Sequence, residues 1–310
     1  MSFRYHGTSL HLTRSKCIRY RVRLEGTLPV LSTARDFANI DHIVKQSGMF
    51  TEKILHKGLK TRSFGNKIYT FETIDSTNNC AKVVAGVGAQ EGTVVIAEEQ
   101  TAGRGRLGRL WHSNPHENLT FSIVLRPRIG NEGFNLLPLY AAVAVAEAIE
   151  RITQLRVECK WPNDLIIDKK KVAGILIEGS FKDNASEYVI LGIGINVNQQ
   201  TFPNDLMQKA TSLSLATNKE IDRAELFREV LRSLERHYQT IRSSAFPSIL
   251  SAWLLRSSLI DKPISISQHG TLISGIVRGL NSDGGLIIQT NESTQTVFAG
   301  DVTVVDSSPG

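Results

Sequence analysis

The chain has 310 residues, 41% hydrophobic and 21% charged, an ordinary balance for a soluble globular protein of two domains. No apolar run approaches the roughly 18 residues of a membrane span, and the three cysteines, Cys17, Cys80 and Cys159, lack the spacing of a disulfide framework or a zinc site. The formal net charge of +6 is mostly local: eight basic against three acidic side chains put +5 in residues 1–48 and leave +1 for the rest, so charge makes no case for nucleic acid.

Residues 1–48 support two expectations. Arg- and Ser-rich with few acids, they read as an organelle presequence, or as an extension ahead of a working chain that starts at Met49. Both predict poor order. Only residues 40–60 carry a helical period there, too little for a helix-turn-helix, so no DNA partner is expected.

Alternation over residues 66–74 predicts a strand, and Asp75-Ser76-Thr77-Asn78 is an N-cap cluster opening a helix to about residue 85. A strand at 93–98 leads through Gln100 into Gly103-Arg104-Gly105-Arg106-Leu107-Gly108-Arg109-Leu110-Trp111. Strand 119–125 and an apolar, alanine-rich helix at 136–152 follow. Residues 157–167 predict strand, tight turn, strand around Lys160-Trp161-Pro162-Asn163-Asp164. Asp168-Lys169-Lys170 turns into a strand at 171–178, and another at 187–195 closes on Gly192-Ile193-Gly194-Ile195-Asn196. Helices are predicted at 224–241 and 247–256. Beyond 261, five short strands with a hairpin signal at Asp283-Gly284 predict a small β module that must dock on the main body to be stable. Short turns between consecutive strands predict a mixed or antiparallel sheet with packed helices.

Three arginines among alternating glycines read as a clamp on an anion. Guanidinium forks bind phosphate and carboxylate, and glycine lets the backbone approach a ligand. The same stretch matches G-x-G-x-x-G, but residues 110–118 have no helical period, so no helix N-terminus meets a pyrophosphate. Ser76, Thr77 and Asn78 offer hydroxyls and N–H groups at a helix start, where an ordinary N-cap is the competing reading. Asn163 can donate and accept. Asp164 reads equally as a Mg²⁺ or orienting carboxylate and as a turn cap. Lys171 enters an apolar strand, and Asn196 ends one. His112 and His116 have no nucleophile to pair with and read as surface residues; Cys80 and Cys159 read as buried hydrophobes.

Together these stretches resemble the biotin–protein ligases, the biotin–[acetyl-CoA-carboxylase] ligases or holocarboxylase synthetases. The pieces stand in family order: Asp-Ser-Thr-Asn at 75–78, Gln100, the arginine loop at 103–111, Lys-Trp-Pro-Asn-Asp at 160–164, Lys-Val-Ala-Gly-Ile-Leu at 171–176 and Gly-Ile-Gly-Ile-Asn-Val at 192–197. The resemblance spans about residues 66–305. It implies an α+β fold, with a class II synthetase-like catalytic domain over 49–260 and a small SH3-like β-barrel over 261–310. It implies two half-reactions, with ATP and biotin as substrates and Mg²⁺ as the ion. Biotin is first converted to biotinyl-5′-AMP, then passed to a lysine of a carboxyl carrier protein.

By position, Ser76, Thr77, Asn78, Gln100, Arg104, Gly105, Arg106, Lys171 and Gly174 resemble the biotin-contacting set. Arg104, Trp111, Asn163, Lys171 and Asn196 resemble the ATP set, and Arg106, Lys171 and Asp164 the catalytic groups. No protein-held metal site is expected. One departure from the larger members of the family is that no winged DNA-binding domain is visible before residue 66, so a ligase-only form is expected. The resemblance points to a homodimer, and the absence of a long apolar run to no membrane partner. The expected location is the cytoplasm, or a mitochondrion or plastid if 1–48 is a presequence. A lipoate ligase or octanoyltransferase is the neighbouring enzyme reading, which the arginine loop and the Lys-Trp-Pro-Asn-Asp turn disfavour. A transcription-regulating sensor of biotin or biotinyl-AMP is the non-enzyme reading.

Overall fold

The computed structural model describes residues 50–305 apart from 128, 130, 183–184, 243–245 and 269–270, together with two-residue strands β1 (Tyr20–Arg21) and β2 (Val30–Leu31), which pair antiparallel. The expectations for residues 1–48 otherwise fall outside the described residues. The helical period at 40–60 yields, in its described part, only the single-turn helix α1 (Glu52–His56), capped by the Thr51 side chain on Ile54 N–H.

Short apolar and β-branched runs produce the main sheet, its central strands buried on both faces: β3 (Ile68–Ile74), β4 (Val94–Gln100), β5 (Leu119–Leu125), β6 (Glu158–Lys160), β7 (Asp164–Ile167), β8 (Lys170–Lys182) and β9 (Ala185–Ile195). Their spatial order is β3-β4-β5-β9-β8-β7-β6. Only β3 and β4 run parallel. A parallel pair needs a crossover, and α2 (Thr77–Gly86) supplies it. The β7–β8 hairpin turns on Asp168 and Lys169, both at positive φ (48° and 64°), as tight two-residue hairpins require.

The other helices are α3 (Asn131–Phe134), α4 (Leu137–Thr153), α5 (Leu213–Thr217), α6 (Arg223–Arg242) and α7 (Phe246–Leu254). Side chains alternate across each strand, so the sheet has two faces. Ile96, Phe121, Ile123, Leu191 and Ile193 pack into one core with α4 and α6, where the alanine run of α4 is buried on nearly every side. Val95, Ala97, Val124 and Ile190 point the other way and meet Cys80, Ala81 and Val84 of α2. Among the described residues no helix is long and apolar enough to cross a membrane.

β10 (Pro263–Gln268), β11 (Thr271–Leu280), β12 (Leu286–Gln289), β13 (Thr294–Val297) and β14 (Asp301–Val304) form a five-stranded antiparallel SH3-like sheet, ordered β13-β12-β11-β10-β14. Its own core residues Ile264, Val277, Leu286 and Ile288 run into the core around α4. The docking point is the β11–β12 turn. Gly284, at φ 81°, lies so close to Leu136 and Leu139 that an added Cβ would sit 3.0–3.1 Å from their side chains. The indole N–H of buried Trp161 donates to Gly284 O at 3.2 Å. Trp161 therefore joins the two sheets.

Candidate active site

A change of residue type along three strands makes the floor of the site. On the α2 face, β5 runs from Val124 to Ser122 and Thr120, and β9 from Ile190 to Gly192 and Gly194. The register pairs Ser122 with Gly192 and Thr120 with Gly194; across β8 it pairs Leu176 with Gly192 and Gly174 with Gly194. Small and polar residues thus replace apolar ones on this face, and a cavity of about 550 Å³ opens there. Every residue expected at the site lines it: Ser76, Thr77, Asn78, Gln100, Arg104, Gly105, Arg106, Trp111, Asn163, Asp164, Lys171, Gly174 and Asn196.

The closed end is built on the start of α2. Ser76 is the N-cap residue, yet its hydroxyl makes no capping bond. Gln100 caps instead: its Oε1 accepts from Thr77 N–H at 2.7 Å and from the Thr77 hydroxyl at 3.1 Å. Ser122 Oγ lies 2.8 Å from Thr77 Oγ1 and donates to Asn78 Oδ1 at 2.6 Å. Asn78 Nδ2 donates to Glu178 Oε2 at 2.7 Å. Ser76, Thr77, Asn78 and Ser122 are all buried. Gly192 has a steric duty here, because a Cβ on it would come 2.2 Å from Asn78 Oδ1.

The open end is built on the arginine loop. Gly105 N–H donates to Arg109 O at 2.7 Å and Trp111 N–H to Gly103 O at 3.0 Å, closing the loop on itself. Within it Arg106–Gly108 form one 3-10 turn, so the glycines open no helix of the dinucleotide-binding kind. The three arginines do not act alike. Arg104 is held at the closed end by Asn79 Oδ1 (2.5 Å) and Glu178 (3.3 Å). Arg109 reaches out to Asp301 of the SH3-like sheet. Arg106 turns inward, half-buried, onto the neutral Asn163 Oδ1 at 3.2 Å. Burial pulls the Arg106 pKa down from its usual value, against the opposing pull of Asp301 and Asp164.

Lys171 stands opposite. Its ammonium is 2.6 Å from Asp164 Oδ1 and 5.7 Å from the centre of the Trp111 ring. Asp164 therefore pairs with Lys171 rather than capping the turn. The Lys171 backbone is clasped on both sides, its N–H on Lys209 O and its O on Thr211 N–H. Trp111 lies against β9 and β8: a Cβ at Gly194 would be 2.4 Å from its ring, and one at Gly174 3.2 Å. Its indole N–H is buried and has no partner among the described residues. Asn163 and Asn196 are oriented by their amides, which donate to Ile175 O (2.6 Å) and Thr211 O (3.0 Å).

The lining is strongly cationic, with Arg104, Arg106, Arg109, Lys160, Lys169, Lys171 and Lys209 against Asp164 and Asp301. Such a surface attracts a multiply charged anion. His112 is exposed at the mouth, and His116 pairs on the surface with Glu72 at 3.0 Å. Cys80 and Cys159 are buried, and burial pushes both thiols up, Cys159 to about 12, so neither supplies a thiolate.

Sequence reasoning passed over Ser122, Glu178, Asp301 and the segment 202–210 that walls the open end. Ser122 and Glu178 carried a signal, a polar residue inside an apolar strand. Asp301 carried none, since its importance comes only from the docking of a distant sheet.

Comparisons with known proteins bear on the same residues. Residues 70–196 match the biotin/lipoate A/B protein ligase family, and residues 259–305 match the biotin protein ligase C-terminal domain. The bifunctional ligase/repressor BirA of Bacillus subtilis is 36% identical, the match covering 84% of this chain and 81% of that protein. The biotin–[acetyl-CoA-carboxylase] ligase of Paracoccus denitrificans is 33% identical over 74% of this chain and 96% of its own length. The chain belongs to the biotin–protein ligase family. A biotin protein ligase from Aquifex aeolicus, solved in complex with biotin and ATP, superposes with a TM-score of 0.68 at 31% identity, covering 78% of this chain and all of that one. This biotin–protein ligase fold carries the site on its catalytic sheet and borrows one carboxylate, Asp301, from the C-terminal module.

Proposed function

We propose that the protein joins biotin to ATP as biotinyl-5′-AMP and then transfers the biotinyl group to a lysine of a carboxyl carrier protein. The observation that carries this reading is a single cavity with two unlike ends: a closed, hydrogen-bonding end, where Arg104 is matched by Glu178, and an open end with a large excess of cations. A neutral polar head with an anionic tail fits the first, and a nucleotide triphosphate fits the second.

In the first half-reaction a biotin carboxylate oxygen bonds to the α-phosphorus, and the bond to the β-phosphate oxygen breaks to release pyrophosphate. Charge grows on the phosphate oxygens, where Arg106 and Lys171 supply fixed positive groups. Asp164 acts on Lys171, holding the ammonium in place. Trp111, pressed against the glycines, offers a flat face and an unpaired N–H beside the base. In the second half-reaction a lysine amine attacks the biotinyl carbonyl carbon, the anhydride C–O bond breaks, and AMP leaves. No enzyme nucleophile is needed.

Among the described residues no three His, Cys, Asp or Glu side chains converge on a metal site. Mg²⁺ fits as an ion carried in on the nucleotide phosphates, with phosphate and water as most of its ligands and Asp164 as the carboxylate within reach. When bound it neutralises phosphate charge. A cytoplasmic setting suits Cys80 and Cys159, the free, buried cysteines among the described residues.

Purified protein incubated with ATP, Mg²⁺ and biotin should give biotinyl-5′-AMP by mass spectrometry, and biotinyl-lysine once an apo carrier domain is added. Adenylate formed from lipoate but not from biotin would move the protein to the neighbouring specificity.

A further inference from the structure

Glu178 stands behind the closed end, outside the cavity lining. It is an acid at the end of an apolar run on β8, Ile175-Leu176-Ile177-Glu178, and shares a face with Gly174 and Leu176. Its carboxylate gathers three donors. Lys82 Nζ lies 2.5 Å from Oε1; Asn78 Nδ2 lies 2.7 Å and Arg104 3.3 Å from Oε2. Burial alone would push its carboxyl up, but the hydrogen bonds of Lys82 and Asn78 and the charges of Lys82 and Arg104 outweigh it and hold the pKa below the usual value. The group is therefore an anion that can only accept.

That restriction decides the direction of a neighbouring amide. A carboxamide has a donor end and an acceptor end of nearly equal size, and its hydrogen bonds choose between them. An acceptor-only partner demands the NH₂ end of Asn78. The oxygen must then point the other way, over Gly192 and against Ser122. Ser122 occupies one lone pair of that oxygen, and a carbonyl has two. Asn78 and Gly192 both line the cavity, so the acceptor stands at the cavity wall.

We propose that Glu178 is a specificity-determining positioning residue: by holding the Asn78 carboxamide with its oxygen inward, it makes the closed end accept hydrogen bonds from a ligand head that carries N–H donors. The cyclic urea of biotin has two such donors, and a dithiolane ring has none. The inference rests on the ligase reading above and adds the group that sets its selectivity. Glutamine at 178 would remove the constraint, because an amide can donate as well as accept, and both orientations of Asn78 would then be populated.

The test uses calorimetry with two probes, biotin and a biotin methylated on a ureido nitrogen, on the full chain. Wild-type protein should bind biotin and discriminate against the methylated analogue. Glu178→Gln should weaken biotin by up to about tenfold, the upper end for one hydrogen bond between neutral groups, and shrink the ratio between the probes to match. In adenylation assays KM for biotin should rise while KM for ATP stays. In an Asn78→Ala background Glu178→Gln should add little, because the effect runs through Asn78. Melting curves confirm folding; if Glu178→Gln does not fold, Lys82→Met/Glu178→Gln, which leaves no unpaired ammonium, is read in its place. An unchanged ratio between the probes, an equal rise in both KM values, or full additivity with Asn78→Ala would each overturn the inference. Failure of the wild-type chain to bind biotin at all would instead overturn the ligase reading.

Discussion

The two ends of the cavity differ in how much of their hydrogen bonding is already made. At the closed end Gln100, Thr77, Ser122, Asn78 and Glu178 form a continuous chain of bonds between 2.6 and 3.1 Å on buried and half-buried side chains. At the open end one arginine leans on a neutral amide, a lysine shares a single aspartate, and an indole N–H has no partner among the described residues. A satisfied network is pre-organised and asks its ligand to match it. Crowded cations with few acids are at their best only when an anion arrives. Specificity for the head group and stabilisation of phosphate charge are thus divided along the length of one sheet.

The largest expected break in that division is Arg106→Ala. It removes the inward-facing guanidinium and should cost adenylation about 1.5–3 kcal/mol, the range for a charge-assisted hydrogen bond. Pyrophosphate release would read roughly a ten- to hundredfold loss, while discrimination between biotin and its methylated analogue stays as in wild type. A loss below threefold would mean that the charge is stabilised elsewhere.

A pair of glycine substitutions sharpens the comparison, because neighbouring positions on β9 serve opposite ends. Gly192→Ala drives a methyl into Asn78 Oδ1, and Gly194→Ala drives one into the Trp111 ring. The first should weaken biotin and spare ATP, and the second should weaken ATP and spare biotin, each severalfold by calorimetry. Matching losses of both ligands in both variants would show that the ends are not separable.

The smallest effect lies away from both ends. Glu147 of α4 binds His237 at 2.7 Å and Arg236 at 2.8 Å. Burial pushes its carboxyl up, but the hydrogen bonds and charges of His237 and Arg236 prevail and bring it to about 2, below the ordinary 4.5. A depressed folded pKa contributes stability that is present above the unfolded value and lost as pH falls through the folded one. Glu147→Gln should therefore unfold more easily than wild type above about pH 4.5, the gap closing towards pH 2, with KM for both substrates unchanged. A gap that persists at pH 2 would assign the effect to packing rather than charge.

Much of this was legible beforehand because it is local. Alternation located β3, and β-branched, apolar runs bounded by turn signals located β4, β5 and β7 to β9, to within a few residues; the Asp283-Gly284 signal marked a real turn. What was not legible has physical reasons too. The helical period at 40–60 falls within the described residues only from residue 50, where it yields the five-residue α1. Segment 202–210 has no period to read, and it matters only because Lys171 clasps its end.

The chemistry of the site belongs to the sequence. Guanidinium, ammonium and amide groups at fixed short spacings, with glycines among them, announce an anion clamp wherever they fold. Tertiary structure alone decided how the clamp is divided. Arg104 meets Glu178 from 74 positions away, Asn78 meets it from 100, and Arg109 meets Asp301 from 192. No local pattern encodes such partners. They are brought together by sheet register and by docking of the small β module, and these depend on the summed packing of the whole core.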